Sequence, residues 1–496
     1  MSSGTAGRGP APGRQASGVV RLAAGTLVCA IAYAVLVGLG DGNRSRGVPV
    51  IGVGVLWVVF VATTWWVRRG GASWRRPVLA VVLAATVVQI PGVLVPPRTS
   101  NDAYRYVWDG RVQLSGTSPY RYAPLDDRLA ALRDPVLFPL LGPSTPSGYL
   151  TEPLPHDRDA LLARAAGDPR TWINRPLVPT IYPPVAQVWF TLVAWVTPWS
   201  LGTLGVQLGA ALLAVALAGA LAAWRRRRGG DASEALWWAW CPTVVIETGN
   251  GAHLDVLAAA LMVAAVVVFT TPWGRRRAAW VAGLLVGLAA SVKLTPLAIL
   301  PALMPLRHKG FRAGLPAPLA AIVTLAVTYL PHVLAVGMLV LGYLPGYLLE
   351  EGSDRAGVLA LVLPRAWLPV AVGLVLLATA AWAVLRVGRS VDVATAALVL
   401  YGMLLLTTTP SYPWYAVPVV ALAVLTGRRE WLAVAAACYV AYGGPGIVGY
   451  VVAALLVLVV GLARAGRLPG LPPGRRLGRS VDNHAGAPTP GATLER

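Results

Sequence analysis

NDAYRYVWDG at 101 to 110 and NRPLVPTIYPP at 174 to 184 frame the one long polar stretch of this chain, residues 97 to 183. What surrounds that stretch decides the fold. Apolar runs of about the length that crosses a bilayer occupy 18 to 39, 49 to 67 and 76 to 95 before it, and eleven more follow between 201 and 463. With 496 residues, 56% of them apolar, and a mean hydropathy of +0.62, the chain is too hydrophobic for a soluble fold. It reads as an all-α polytopic membrane protein with about 14 transmembrane helices and a large external loop containing juxtamembrane helices. Several later runs are short, some of them reading as half-helices buried in protein.

The net charge of +21 raises nucleic acid as a partner, so the placement of each charge matters. With a cytoplasmic N-terminus and alternating loops, 27 of the 42 basic residues fall on the cytoplasmic side with 6 acids, and the other side holds 15 of each. All the excess charge then lies on one face. That is the positive-inside bias of a membrane protein, and it argues against a nucleic-acid footprint. The run VAQVWFTLVAWV at 185 to 196, bracketed by Pro183, Pro184 and Pro198, would reverse this bias if it crossed. It therefore reads as a helix lying in the outer interface. The expected organisation is a disordered cytoplasmic tail at 1 to 17, a transmembrane domain over 18 to 467 in which 97 to 200 is the external loop, and a second disordered tail at 468 to 496. The first run follows an arginine-bearing tail as a signal peptide would, but further spans come at once and it reads as a retained helix. Cys29, Cys241 and Cys438 lie in apolar runs with neither disulfide nor metal spacing.

On this topology the unusual polar motifs share the outer side: the two framing motifs, ETGNGAHLD at 247 to 255, SVKLTP at 291 to 296, EEGSDR at 350 to 355 and TTTPSYPWY at 407 to 415. Their convergence predicts one extracytoplasmic site. Ser100 or Asn101 can cap a short helix starting at Asp102, with Asp102, Arg105, Tyr106 and Asp109 on one face. A first-turn carboxylate near an arginine stays ionised, as a general base must. The alternative for Asp102 is a capping or ion-pairing role, and for Asp109 a structural role is favoured. Lys293, the lone lysine on the outer side, suits a phosphate, with snorkelling as the alternative. His253 and Asp255 stand at the mouth of a span, His253 as a ligand group or as a structural histidine. Tyr106, Tyr182, Tyr412 and Trp414 belong to an aromatic set that fits a sugar platform or an interfacial belt. No metal-binding, Walker A, dinucleotide-binding or triad motif is present.

Taken in order, DAYRYVWDGRVQLSGTSPYRYAP, INRPLVPTIYPPVAQ, GNGAHLD, SVKLTPLAILP and SYPWY resemble the GT-C superfamily of membrane glycosyltransferases. The likeness is closest to the bacterial family 87 polyprenyl-phosphate-mannose-dependent mannosyltransferases, over about 76 to 463. Two departures are an extra pair of spans before the Asp-bearing loop's own helix, and GAHLD where GHND is expected. The resemblance implies a GT-C-like fold in the cell membrane, an extracytoplasmic active site, and transfer of mannose from a polyprenyl phosphate to a glycolipid or glycan. It places the catalytic base at Asp102 and the donor phosphate among Lys293, Arg105, His253 and Arg355. Substrate contacts are expected from Asp109, Tyr106, Tyr182, Asp255, Tyr412 and Trp414. A single displacement inverts the anomeric centre, and a donor with one phosphate needs no metal, although the loop carboxylates do not exclude a divalent ion. A lipid-linked sugar flippase or transporter is the alternative of another class. Such a protein should carry ionisable groups through its span midplanes rather than at their outer ends.

Overall fold

The computed structural model describes residues 12–38, 49–70, 74–272, 274–304, 314–352, 358–408, 412–443 and 446–466. The tails up to 11 and from 467, together with Arg355, lie outside the described residues. Before the polar loop come α1 (Pro12–Gly38), α2 (Val50–Arg69) and α3 (Pro77–Val93); α1 begins inside the expected N-terminal tail. The loop holds α4 (Asp102–Leu114), α5 (Arg158–Ala165) and α6 (Pro184–Val196). Then follow α7 (Leu204–Arg227), α8 (Leu236–Ala239), α9 (Pro242–Val245), α10 (Asp255–Phe269), α11 (Arg275–Ala290), α12 (Pro316–Val336) and α13 (Leu344–Gly352). The last five are α14 (Leu368–Arg386), α15 (Val393–Thr407), α16 (Val417–Thr426), α17 (Leu432–Gly443) and α18 (Ile447–Arg464). Among the described residues there is no strand, and six helical segments are long and apolar enough to cross a membrane.

The apolar runs expected at 234 to 250 and 293 to 306 are broken. Pro242 starts α9 without an amide to continue α8, a π-helical turn follows at Ile246–Asn250, and Thr295–Leu303 winds as a 3-10 helix behind Pro296. The run at 185 to 196 forms α6. Its 13 residues give about 20 Å of rise, less than a hydrocarbon core of about 30 Å.

Small residues set the packing. α1 packs on α2 and α3, α3 on α7, and α11 between α10 and α12. In α11, Gly283 and Gly287 recur at the four-residue spacing that lets two backbones meet. A Cβ on Gly283 would come 2.1 Å from the carbonyl oxygen of Ala317 in α12. At the end of the bundle away from the polar loop, Glu234 receives Arg68 and Arg429, each at 2.5 Å, with Arg225 at 4.0 Å. Arginines that charge counting assigned to one side thus meet around one carboxylate.

At the other end, α3 leaves the bundle through Gly92 to Arg98. Asn250 donates to the carbonyls of Gly92 and Pro96 and accepts the Arg98 amide, while Gln207 from α7 donates to Val95 and Asn250 oxygens. This lattice satisfies non-helical backbone far from water. Inside the loop, α4 lies directly on α6: a Cβ on Gly110 would sit 2.4 Å from the Phe190 oxygen, and Tyr106 stacks on Phe190 at 4.5 Å. The first amides of α6, at Val185 and Ala186, donate to Ser291 O, so α6 is pinned to the end of α11.

Gly283→Val should force α11 and α12 apart and destabilise the protein by about 1–3 kcal/mol, the usual cost of overpacking. Thermal unfolding of the purified protein in detergent, set against Gly54→Ala, where a Cβ meets open space, reads the difference.

Candidate active site

α4 begins at Asp102 because Ser100 supplies the cap: its Oγ accepts the Asp102 amide at 3.2 Å, whereas Asn101 makes no side-chain cap. The first turn is thereby aimed at a cavity of about 1260 Å³. Asp102, Arg105, Tyr106, Asn174, Arg175, Tyr182, Lys293, Tyr412 and Trp414 line its polar part. Leu344, Leu348, Leu368, Pro369, Val372, Leu404 and Leu405 line an apolar part beside α13, α14 and α15.

Asp102 is held on both oxygens. Asn174 donates to Oδ1, and Oδ2 faces His253 Nε2 at 3.5 Å. Burial alone would raise this carboxyl, yet the hydrogen bond and charge of His253, with Arg175 and Lys293 beyond, hold it below the usual carboxylate range. Asp109, one face-repeat further on, has a different environment. Its Oδ1 takes Arg105 Nε at 3.0 Å and its Oδ2 takes the Thr180 hydroxyl at 2.5 Å and Gln187 at 3.1 Å. Burial pushes it upward against those partners. It lies outside the cavity wall, as a joint between α4, α6 and the loop. Arg105 reaches that wall, but its other nitrogens donate to the carbonyls of Arg175 and Val178.

The cations across the cavity have partners too. Lys293 Nζ lies 2.7 and 2.9 Å from the oxygens of buried Asp255 and 3.7 Å from the centroid of the Tyr415 ring. Arg175, at φ 47°, meets Glu350 of α13 at 2.7 Å, and Tyr343 also donates to Glu350. His253 is fully buried behind the wall, its ring stacked on Trp414 at 4.1 Å; Trp414 in turn stacks on Tyr412 at 4.7 Å.

The expected residues therefore separate into groups. Asp102, Arg105, Tyr106, Tyr182, Lys293, Tyr412 and Trp414 reach the cavity, while His253 and Asp255 stand one layer behind it and Asp109 is sealed beneath the loop. Asn174, Arg175, Glu247 and Glu350 complete the arrangement, although sequence reasoning assigned them no role. All four lie in motifs it singled out, and Asn174 and Arg175 open NRPLVPTIYPP. Among the described residues no group of three His, Cys, Asp or Glu side chains is arranged to hold a metal ion. Chemically, the polar part offers an ionised carboxylate with a lysine and an arginine near it, and the same cavity has apolar walls.

Residues 163–308 match a family model described as alpha-(1->6)-mannopyranosyltransferase, N-terminal domain. The matched part runs from the end of α5 through α11 to Lys293 and beyond, and supports a mannosyltransferase family, hence a glycosyltransferase enzyme. Asp102, Tyr412 and Trp414 fall outside it. No curated protein and no solved structure matches the chain.

Arg105→Ala should strand the buried Asp109 carboxylate and free the loop carbonyls at 175 and 178. A loss of about 3–5 kcal/mol is expected, as when one partner of a buried pair is removed. Loss of the loop's proteolytic protection, compared with wild type, checks it.

Proposed function

We propose that the protein transfers a mannosyl group from a polyprenyl phosphate to an extracytoplasmic glycolipid or glycan, with Asp102 as general base. The observation that carries this reading is the meeting, in one cavity, of an ionised carboxylate at the start of α4, the cations Lys293 and Arg175, and apolar walls from α13, α14 and α15. A base and a phosphate-holding cation pair suit transfer from a phosphate-linked sugar, and the apolar walls suit an isoprenoid chain. The mannosyltransferase match supports the sugar.

The acceptor hydroxyl is deprotonated by Asp102 as its oxygen attacks the anomeric carbon. The bond from that carbon to the phosphate oxygen breaks, and its electron pair leaves with the lipid phosphate, whose charge Lys293 and Arg175 offset. Attack opposite the leaving group inverts configuration, so a β-linked donor gives an α-linked product. The proton on Asp102 then passes to solvent. Tyr412 is the aromatic surface against which the sugar rests. On a GT-C-like architecture of about 14 crossings, as the hydropathy pattern suggests, this chemistry lies at the outer face of the cell membrane. Loop 97 to 200 then lies outside, and the arginine end lies in the cytoplasm.

Incubating purified protein and membrane glycolipids with radiolabelled polyprenyl-phosphate sugars should label product from the mannose donor. Asp102→Asn keeps the shape but cannot take a proton, and should lower turnover by about 100-fold or more. Asp109→Asn should retain measurable turnover. Near-normal turnover in Asp102→Asn would remove the base from this reading, and labelling from another sugar alone would remove mannose.

Sidedness has its own test. All three native cysteines are buried. With new cysteines at Asp159 and Arg227, both exposed, an impermeant thiol reagent applied to intact cells should label the first and spare the second. The opposite pattern would invert the topology.

A further inference from the structure

His253 offers the cavity no nitrogen. Its Nδ1 faces Glu247 Oε2 at 3.0 Å and the Glu247 carbonyl at 3.2 Å, and its Nε2 faces Asp102 Oδ2 at 3.5 Å and Ser100 Oγ at 3.0 Å. Carboxylates and a carbonyl only accept, while the Ser100 hydroxyl can do either, so Nδ1 donates to Glu247 and Nε2 lies between Asp102 and Ser100. Burial works against a charge on the ring, but the carboxylates of Asp102 and Glu247 on its two sides outweigh it and raise the imidazole to about 9, so the ring is an imidazolium at neutral pH. Trp414 covers one face of the ring, and Tyr412 covers the far face of Trp414. Trp414 therefore has no free face for a sugar.

Glu247 is equally committed. It is fully buried, accepts Tyr439 OH at 2.6 Å on Oε1 and the Thr99 hydroxyl at 3.2 Å on Oε2, and so cannot swing away from the ring. The backbone is shaped for this placement. A Cβ on Gly251 would fall 2.6 Å from His253 Nδ1, and Ala252 takes φ 57°, a left-handed turn unusual for alanine, to bring the imidazole back over Glu247. Such local strain persists only where surrounding contacts impose it.

We propose that Glu247 and His253 form a buried positioning pair for Asp102, clamped by Trp414, which keeps the base ionised and aimed at the acceptor hydroxyl without touching the donor phosphate. This rests on the reading of Asp102 as the base. Buried as Asp102 is, its carboxylate alone would tend to take up a proton, and an imidazolium held against it prevents that at no cost in reorganisation. Glu247 supplies the second negative charge that keeps the imidazolium from being an unpaired buried cation. Asn174 fixes the other oxygen of Asp102, so each oxygen is held by one contact and keeps a lone pair for a hydroxyl.

The test uses full-length protein in lipid nanodiscs, labelled polyprenyl-phosphate mannose and membrane glycolipids, with kcat and donor KM measured across pH. The charged and titratable groups facing this cluster are Arg175, Lys293, Tyr106, Tyr182 and Tyr442 around Asp102, Asp255 beside His253, and Tyr439, Tyr33, Tyr442 and Cys438 around Glu247. In wild type the depressed Asp102 stays ionised as pH falls, and activity is lost only below the usual carboxylate range. His253→Gln removes the group that depresses it, so burial dominates and the acid limb moves to higher pH. Turnover should fall on the order of 100-fold, as for a misaligned reacting group, with donor KM nearly unchanged. Glu247→Gln keeps the shape and one acceptor oxygen for Tyr439 but removes the charge and turns an amide NH2 toward Thr99 and His253, should shift the limb the same way, and is the variant read if His253→Gln does not purify. The double variant should cost little more than either single one. A raised donor KM with unchanged kcat and acid limb would make His253 a phosphate ligand and overturn the proposal, as would unchanged kinetics throughout. Asp102→Asn, run alongside, separates the two levels: if it is inactive while His253→Gln is normal, only the positioning pair fails, and if it is active the base itself is misassigned.

Discussion

Non-helical backbone buried in an apolar bundle must find its hydrogen-bond partners within the protein, and one side chain, Asn250, meets most of that demand where the site is built. It takes the carbonyls left open where α3 ends and the amide of Arg98, which fixes where the polar loop starts. Ser100 and Asp102 follow within a few residues, so the position of the carboxylate depends on an amide about 150 positions later in the chain. Gln207 reinforces the same junction from α7. The turn that carries Asn250 also carries Glu247 and His253. A single irregular segment thus supports the exit of α3 and orients the acid at the head of α4.

Charge is distributed by the same logic of internal satisfaction. Buried ions in this molecule come as pairs or short chains: Arg105 with Asp109, Lys293 with Asp255, His253 between Glu247 and Asp102. Only some of these pairs present a charge to the cavity. Lys293 does so with Asp255 behind it, and keeps donor capacity for an anion, whereas Arg105 spends its nitrogens on the loop. Similar residue types on one helix face therefore serve different ends, decided by what each side chain meets on the neighbouring element.

That is also the boundary of what the sequence makes legible. The helix from Asp102 follows from its own residues, since capping by Ser100 and the spacing of Asp102, Arg105, Tyr106 and Asp109 are local, and the hydropathy pattern is enough for an all-helical membrane protein. The convergence of six separate motifs is legible because charge bias assigns each to a side. What local pattern cannot supply is the pairing. Asn174 meets Asp102 across 72 positions and Tyr439 meets Glu247 across 192, and nothing in either segment announces its partner. Trp414 reads as a sugar platform until the imidazole on one face and Tyr412 on the other are seen. The broken runs around Pro242 and Pro296 look like continuous spans because hydropathy ignores the missing amide of proline.

The arginine end has an implication for how the chain is made. Arg68 and Arg225 are followed closely, in the second case, by the Glu234 that receives them both, but Arg429 reaches the same carboxylate from 195 positions downstream. During synthesis the early helices can settle with Arg68 and Arg225 already beside Glu234, and Arg429 joins them only once the segment after α16 has been made. The arginine end is therefore completed late, by a segment made after most of the cavity wall, Asp102 through Tyr415, is already in the chain.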